Sequence, residues 1–165
     1  DNYCDGGYHV PIAHKVLATT MDMNTYNKMV EDDFSVQFTT SSGSDARIGK
    51  GAGYGFCYPN FMINRYGPWL DTNTAIPRSE QSCTILFDWF LDEDHLKEKD
   101  SDKFVEDSLH DSHIVQLEDE DLCMGVQRGL NSLAFDQGRY VPQYEGPMHA
   151  FHKKLGLDFR SFLKI

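Results

Sequence analysis

His9 and His14 stand five residues apart in the opening run Asp1-Asn2-Tyr3-Cys4-Asp5-Gly6-Gly7-Tyr8-His9-Val10-Pro11-Ile12-Ala13-His14. Two imidazoles at that spacing, preceded by an acid, an amide and a glycine pair, read as part of a mononuclear iron site that still needs one carboxylate. Such a triad holds Fe(II) on one face and leaves the remaining positions open for dioxygen and substrate. A bare pair is weak by itself, because a chain with seven histidines yields pairs by chance. His149 and His152 form such a pair, and Glu106, His110 and His113 share a face at helical spacing. Both sets read as solvated surface, since polar residues recurring along a helix more often face water than a metal.

The elements that must position this pair are legible in outline. Residues 2 to 16 suggest a helical turn or short helix interrupted by Pro11, which sets the two histidines on successive turns facing inward. From about 25 to 40, Val36 and Phe38 continue a period-two pattern from Phe34 that is typical of a half-buried strand. Ser41 to Asp45 is a flexible loop by composition. Segments near 52 to 58, 60 to 66, 69 to 76 and 82 to 91 are rich in aromatic and β-branched residues. Pro59, Gly67-Pro68 and Pro77 separate them, so they read as consecutive antiparallel strands with short turns. A long helix is expected from about Asp102 to Leu130, with Phe104, Val105, Leu109, Ile114, Leu117, Leu122 and Val126 on its inner side. A last helix follows from about Tyr144 to Leu155. A strand meander followed by a long helix implies α+β architecture.

Composition bounds the function. At 165 residues the chain lies in the one-domain range. No apolar run approaches the roughly 18 residues of a membrane span, and no signal-peptide pattern precedes Asp1. Four scattered cysteines without C-x2-C pairing suggest reduced thiols in an intracellular protein, buried by default as small apolar residues. The net charge is −11, and residues 91 to 122 hold 13 of the 26 acids against Lys97, Lys99 and Lys103. Nucleic acid is an unsuitable ligand for that sign of charge. A cationic substrate is compatible with it, although screening beyond about 8 to 10 Å makes solubility the blander and better explanation.

Three separated segments occur in one order: Asp1 to His14, Tyr58-Pro59-Asn60-Phe61-Met62-Ile63-Asn64-Arg65-Tyr66-Gly67-Pro68-Trp69, and Glu118-Asp119 through Gly125-Val126-Gln127-Arg128-Gly129-Leu130. Together they closely resemble the catalytic domain of the Rieske-type aromatic-ring-hydroxylating oxygenase alpha subunits, in particular their plant choline monooxygenase branch. The resemblance runs over nearly the whole chain and implies a helix-grip, START-like domain whose long helix delivers an acid to the histidine pair. By position, His9 and His14 match the two histidine ligands and Asp119 the carboxylate. Glu118 and Asp121 are close competitors within Glu118-Asp119-Glu120-Asp121. Many members carry an acid three residues before the first ligand as an electron bridge. Here that position is Gly6, and Asp5 is the nearest acid. Asn2 and Asp5 are therefore the candidates for orienting His9 or bridging to a cluster.

The resemblance implies further that a trimethylammonium alcohol, choline, is oxidised to its aldehyde hydrate with O2. Aromatic faces can desolvate a permanent cation, and Trp69, Tyr66, Tyr58 and Phe61 are the expected substrate-binding residues, with Tyr54 and Phe56 nearby. Electrons are expected from a [2Fe–2S] Rieske cluster, fed by ferredoxin, in the neighbouring subunit of a homotrimer. That cluster needs two cysteines and two histidines, in the family as C-x-H and C-x2-H, and Cys4, Cys57, Cys83 and Cys123 are followed by histidine at neither spacing. The chain is thus expected to be a single catalytic domain, excised or incomplete or a natural split subunit, inactive alone, and stromal if plant-like. Oxidation of another quaternary amine, such as glycine betaine or a carnitine-like compound, and a non-catalytic assembly role are the alternatives.

Overall fold

The computed structural model describes residues 1–41 and 47–164. Among the described residues, six strands form one antiparallel sheet in sequence order: β1 (Asn27–Val30), β2 (Phe34–Thr40), β3 (Gly51–Cys57), β4 (Phe61–Tyr66), β5 (Trp69–Ser79) and β6 (Ser82–Leu91). Two short helices, α1 (Val10–Ala13) and α2 (Lys15–Thr20), precede the sheet, and two long ones, α3 (Ser101–Leu130) and α4 (Gly146–Leu163), follow it. This is the α+β, helix-grip arrangement expected from the sequence. The period-two stretch from Phe34 falls in β2, and β1 precedes it in a hairpin because Glu31 to Asp33 turn the chain. Most of the expected loop at 41 to 45 lies outside the described residues.

The turns explain the tight meander. At the β4–β5 corner Gly67 adopts φ +46°, a left-handed conformation that suits glycine, and Pro68 follows it. The register then sets parity across the sheet. Asn64 lies opposite Asp71, which lies opposite Trp89, so these three share one face. In the adjacent row Met62, Asn73 and Phe87 do the same. Phe34, Phe38, Phe61 and Phe90 project from the other face and are exposed.

Roughly 45 Å long by its residue count, α3 faces the inner side of this sheet. Trp69 stacks on Phe104 with ring centroids 6.1 Å apart, joining the sheet to the first turns of the helix. Ile48, Ala52, Tyr66 and Trp69 form the buried cluster beneath that junction. Farther along, the expected inner side differs from the observed one. Leu109, Ile114, Leu117 and Val126 are exposed, whereas Ser108 and Ser112 are buried and Asp119 is partly buried. The inward stripe is polar because α3 borders a cavity along much of its length, so it needs little apolar surface there.

Helix α4 closes the other end, with Phe151 edge-on to Phe56 at 5.3 Å and the Met148 amide donating to the Cys4 carbonyl at 2.9 Å. It thereby holds down the N-terminal segment that carries the histidines. Among the described residues no helix is long and apolar enough to cross a membrane.

Candidate metal centre and its cavity

A reversal at Gly6 and Gly7 builds the first half of the site. Both glycines have positive φ, +73° and +77°, and a Cβ on Gly6 would lie 2.2 Å from the Tyr144 carbonyl oxygen. Only glycine fits that close approach. The reversal turns the Asp5 carboxylate back onto the following residues. It accepts from the Tyr8 amide at 3.0 Å and the His9 amide at 2.8 Å, and it meets His9 Nδ1 at 2.9 Å. Helix α1 starts immediately after His9, with Pro11 in its first turn, where a missing N–H does no harm. Pro11 therefore opens the helix rather than interrupting it, and His14 sits at the α1–α2 junction.

The second half comes from α3. Asp119 Oδ1 lies 3.1 Å from His14 Nε2 and 3.8 Å from His9 Nε2. The two imidazoles cross at 83° with centroids 5.0 Å apart. One ligand atom from each of His9, His14 and Asp119 falls within 4.8 Å of the others. Two neutral imidazole nitrogens and one carboxylate suit a divalent first-row metal with open positions, so these residues fit the iron expected from the sequence.

Each member of the group is held from behind. Glu118 Oε2 takes His14 Nδ1 at 2.8 Å, as Asp5 takes His9 Nδ1, and Asn2 donates to Asp119 Oδ1 at 2.7 Å. Asn2 thus meets the acid of the group. Glu118 and Asp119, competitors for one role in the sequence, face opposite nitrogens of the same ring, while Asp121 is exposed. Burial of the His14 ring disfavours its charge, but the hydrogen bonds it donates to Asp119 and Glu118 when charged outweigh that and raise its pKa. In the alternative sets, His110, His113 and His149 are exposed and His152 pairs with Asp1.

The group opens into a cavity of about 980 Å³ between α3 and the sheet. Of the four aromatics expected to bind substrate, Tyr66 lines it and the other three do not. Trp69 is 3% exposed, its ring taken up by Phe104. Tyr58 packs on Phe151 and donates to Asp158 at 2.7 Å, and Phe61 points from the outer face of the sheet. The aromatic wall also includes Tyr26, Tyr54, Phe87 and Trp89. Phe87 and Trp89 were missed, although Cys83, Ile85, Phe87, Trp89 and Leu91 alternate along β6 and so share one face. Cys4 is the one buried thiol; Cys57, Cys83 and Cys123 are exposed, contrary to their expected burial.

Comparison with known proteins gives a consistent picture. The family described as ring hydroxylating alpha subunit (catalytic domain) matches residues 28–156. The chloroplastic choline monooxygenase of Arabidopsis thaliana is 49% identical over 157 residues, covering 92% of this chain and 36% of that protein. The corresponding Spinacia oleracea enzyme is 38% identical, covering 92% of this chain and 35% of its own length. A solved quaternary ammonium Rieske monooxygenase superposes with a TM-score of 0.75 at 18% identity, over 94% of this chain and 44% of that one. Another structure, of the enzyme CntA with L-carnitine, gives 0.68 at 20% identity, over 94% and 42% of the two chains. This chain spans little more than a third of the curated relatives it matches.

Proposed function

The chain belongs to the ring hydroxylating alpha subunit family, in its catalytic domain, and from that membership we propose that it is the oxygenase domain of a choline monooxygenase. The observation that carries this reading is the convergence of His9, His14 and Asp119 at one end of a cavity with aromatic walls. These three residues would hold Fe(II), which would supply dioxygen activation when bound.

The chain's own groups prepare that chemistry. With Nδ1 protonated, His9 donates to Asp5 and His14 to Glu118, so both Nε2 lone pairs are directed inward. Asn2 fixes the Asp119 oxygen that faces both rings. The cavity admits a small alcohol to the same place, and its aromatic faces replace the water around a trimethylammonium group. Oxidation of choline to betaine aldehyde hydrate needs electrons, which a [2Fe–2S] Rieske cluster on a further domain or partner would supply from ferredoxin. A homotrimer in the chloroplast stroma is the assembly and compartment that fit this reading, and Asp5 is the acid nearest to a bridging position.

A second reading has one observation in its favour. Arg47 also lines the cavity, donating to Ser112 Oγ at 2.8 Å. A guanidinium there suits the carboxylate of a zwitterionic amine such as carnitine or glycine betaine. Products formed from choline, carnitine and glycine betaine by the complete electron-transfer chain separate the two readings.

The first test is the iron content of the anaerobically purified protein beside a His9→Ala/His14→Ala control. Near one iron per chain, lost in the control, supports the oxygenase reading. Equal and negligible iron in both removes it.

A further inference from the structure

Two buried acids stand in this part of the molecule, and one of them belongs to the histidine pair. Asp5 serves His9; Asp71, 3% exposed, lies on the floor of the cavity and serves neither histidine. Its Oδ1 accepts from Asn64 Nδ2 at 2.7 Å and from Asn73 Nδ2 at 2.6 Å. The Tyr66 hydroxyl is within hydrogen-bonding reach. All three donors are neutral, and among the described residues no cation lies within 4.0 Å of this carboxylate. A buried ionised group normally has an opposite charge or becomes neutral. Here neutral donors fix the orientation of the carboxylate, and Arg47, which lines the same cavity, lies over the neighbouring Tyr66 ring.

Its neighbours point to what completes it. Trp89 is the cross-strand partner of Asp71, and Phe87 stacks on Trp89 with centroids 5.1 Å apart and planes 10° from parallel. The Tyr66 ring is covered by Arg47, whose guanidinium carbon is 5.4 Å from the ring centroid. Trp89 and Phe87 offer aromatic surface on the Asp71 face of the sheet, and Tyr3 and Tyr54 line the same cavity. Indole is the strongest cation partner among aromatic side chains. The N-terminal segment connects this floor to the metal centre: Tyr3 donates to Asn64 Oδ1 at 2.6 Å, while the preceding Asn2 donates to Asp119.

We propose that Asp71, oriented by Asn64 and Asn73 and flanked by Trp89, is the counter-charge that selects a cationic substrate in this cavity. This deepens the choline reading and rests on it. The ammonium group occupies the Asp71–Trp89 end, and the alcohol carbon extends toward His9, His14 and Asp119. Asp71 acts here as a specificity-determining residue, remote from the reacting carbon.

The test compares choline with its uncharged carbon isostere, 3,3-dimethylbutan-1-ol, by calorimetric binding to the full-length, iron-loaded protein. The wild type is expected to prefer choline by about 30-fold, the scale of one charge pair in a partly shielded site. Asp71→Asn keeps an oxygen for the Asn64 and Asn73 donors, and it is expected to lose that preference while binding the isostere within about threefold of the wild type. Asp71→Glu, which restores the charge, is expected to recover part of the preference. An undiminished preference in Asp71→Asn, or equal loss of both ligands, overturns the proposal. A wild-type preference near one also overturns it, with no variant required. If the wild type binds the metal but neither ligand, the choline reading itself fails and this inference goes with it.

Discussion

Glu118 and Asp119, adjacent on α3, meet the two nitrogens of one histidine: Glu118 Oε2 lies 2.8 Å from His14 Nδ1 and Asp119 Oδ1 lies 3.1 Å from His14 Nε2. Neighbouring helical residues point about 100° apart. His14, buried at the helix junction, enters the angle between them. One acid is thus placed to share a metal with the ring and the other to orient it.

That division predicts a graded response to three substitutions. Asp119→Ala should abolish iron retention. Glu118→Gln, which leaves the ligand atoms in place but weakens the grip on Nδ1, should lower iron affinity by about 10- to 100-fold. Asp121→Ala, on an exposed side chain, should leave affinity unchanged. Metal analysis after anaerobic reconstitution against a competing chelator measures all three, and full iron retention in Asp119→Ala would remove that residue from the ligand set.

Gly6→Ala should damage the site without touching a proposed ligand. The substitution meets both a left-handed backbone at φ +73° and the Tyr144 carbonyl at 2.2 Å. The conformational term alone is about 1–2 kcal/mol, and the carbonyl cannot yield without moving the start of α4. Urea unfolding should show a loss of at least about 2 kcal/mol, accompanied by weaker iron binding. A variant of wild-type stability would mean that the N-terminal reversal is not held as described.

Much of this architecture was legible because local signals agreed. Pro59 and Gly67-Pro68 punctuate the meander, and strands β3 to β6 lie close to where alternation placed them. The family resemblance named His9, His14 and Asp119, and these three do converge, although the distances among them depend on the Gly6–Gly7 reversal and on the rotation of α3. Apolar residues were a poor guide to that rotation: Ser112 and Asp119 face inward and Ile114 and Leu117 outward, because the helix borders a cavity. Proximity in sequence was an equally poor guide to the cavity wall. Strand parity places Trp89 beside Asp71 and sends Phe61 to the opposite face.

Trp69 and Trp89 should therefore separate stability from recognition. Trp69 is buried against Phe104, and Trp69→Ala should cost about 3–5 kcal/mol in unfolding free energy, as for other large core truncations. Trp89 is 37% exposed and lines the cavity. Trp89→Ala should have a much smaller effect on unfolding while weakening choline binding by roughly tenfold, the upper range of a single cation–π contact. Denaturation and binding measured on the same two variants test this, and the reverse pattern would exchange the roles assigned to the two indoles.

Alkaline pH should unfold this protein through groups buried in their neutral forms. Burial pushes the Cys4 thiol up to about 11 from an ordinary 9.0, and burial, against the opposing charge of Arg47, pushes Tyr54 to about 12 from 10.0. Tyr3, Tyr26 and Tyr66 are raised in the same direction, with burial the main cause. In each case the folded value exceeds the unfolded one, so the unfolded chain releases its proton first. The stabilisation is complete below about pH 9 and is lost as pH rises through 11 to 12. Urea midpoints should therefore hold steady from pH 7 to 9 and then fall progressively as pH rises through 11 to 12. Cys4→Ala should make that fall shallower. Thiol alkylation at pH 8 provides a second check, since Cys57 and Cys83 are exposed and should be modified in the native protein, whereas Cys4 should react only after unfolding. A midpoint unchanged up to pH 11, or Cys4 labelled as fast as Cys57, would show that the N-terminal segment is not packed against the sheet and α4 as described.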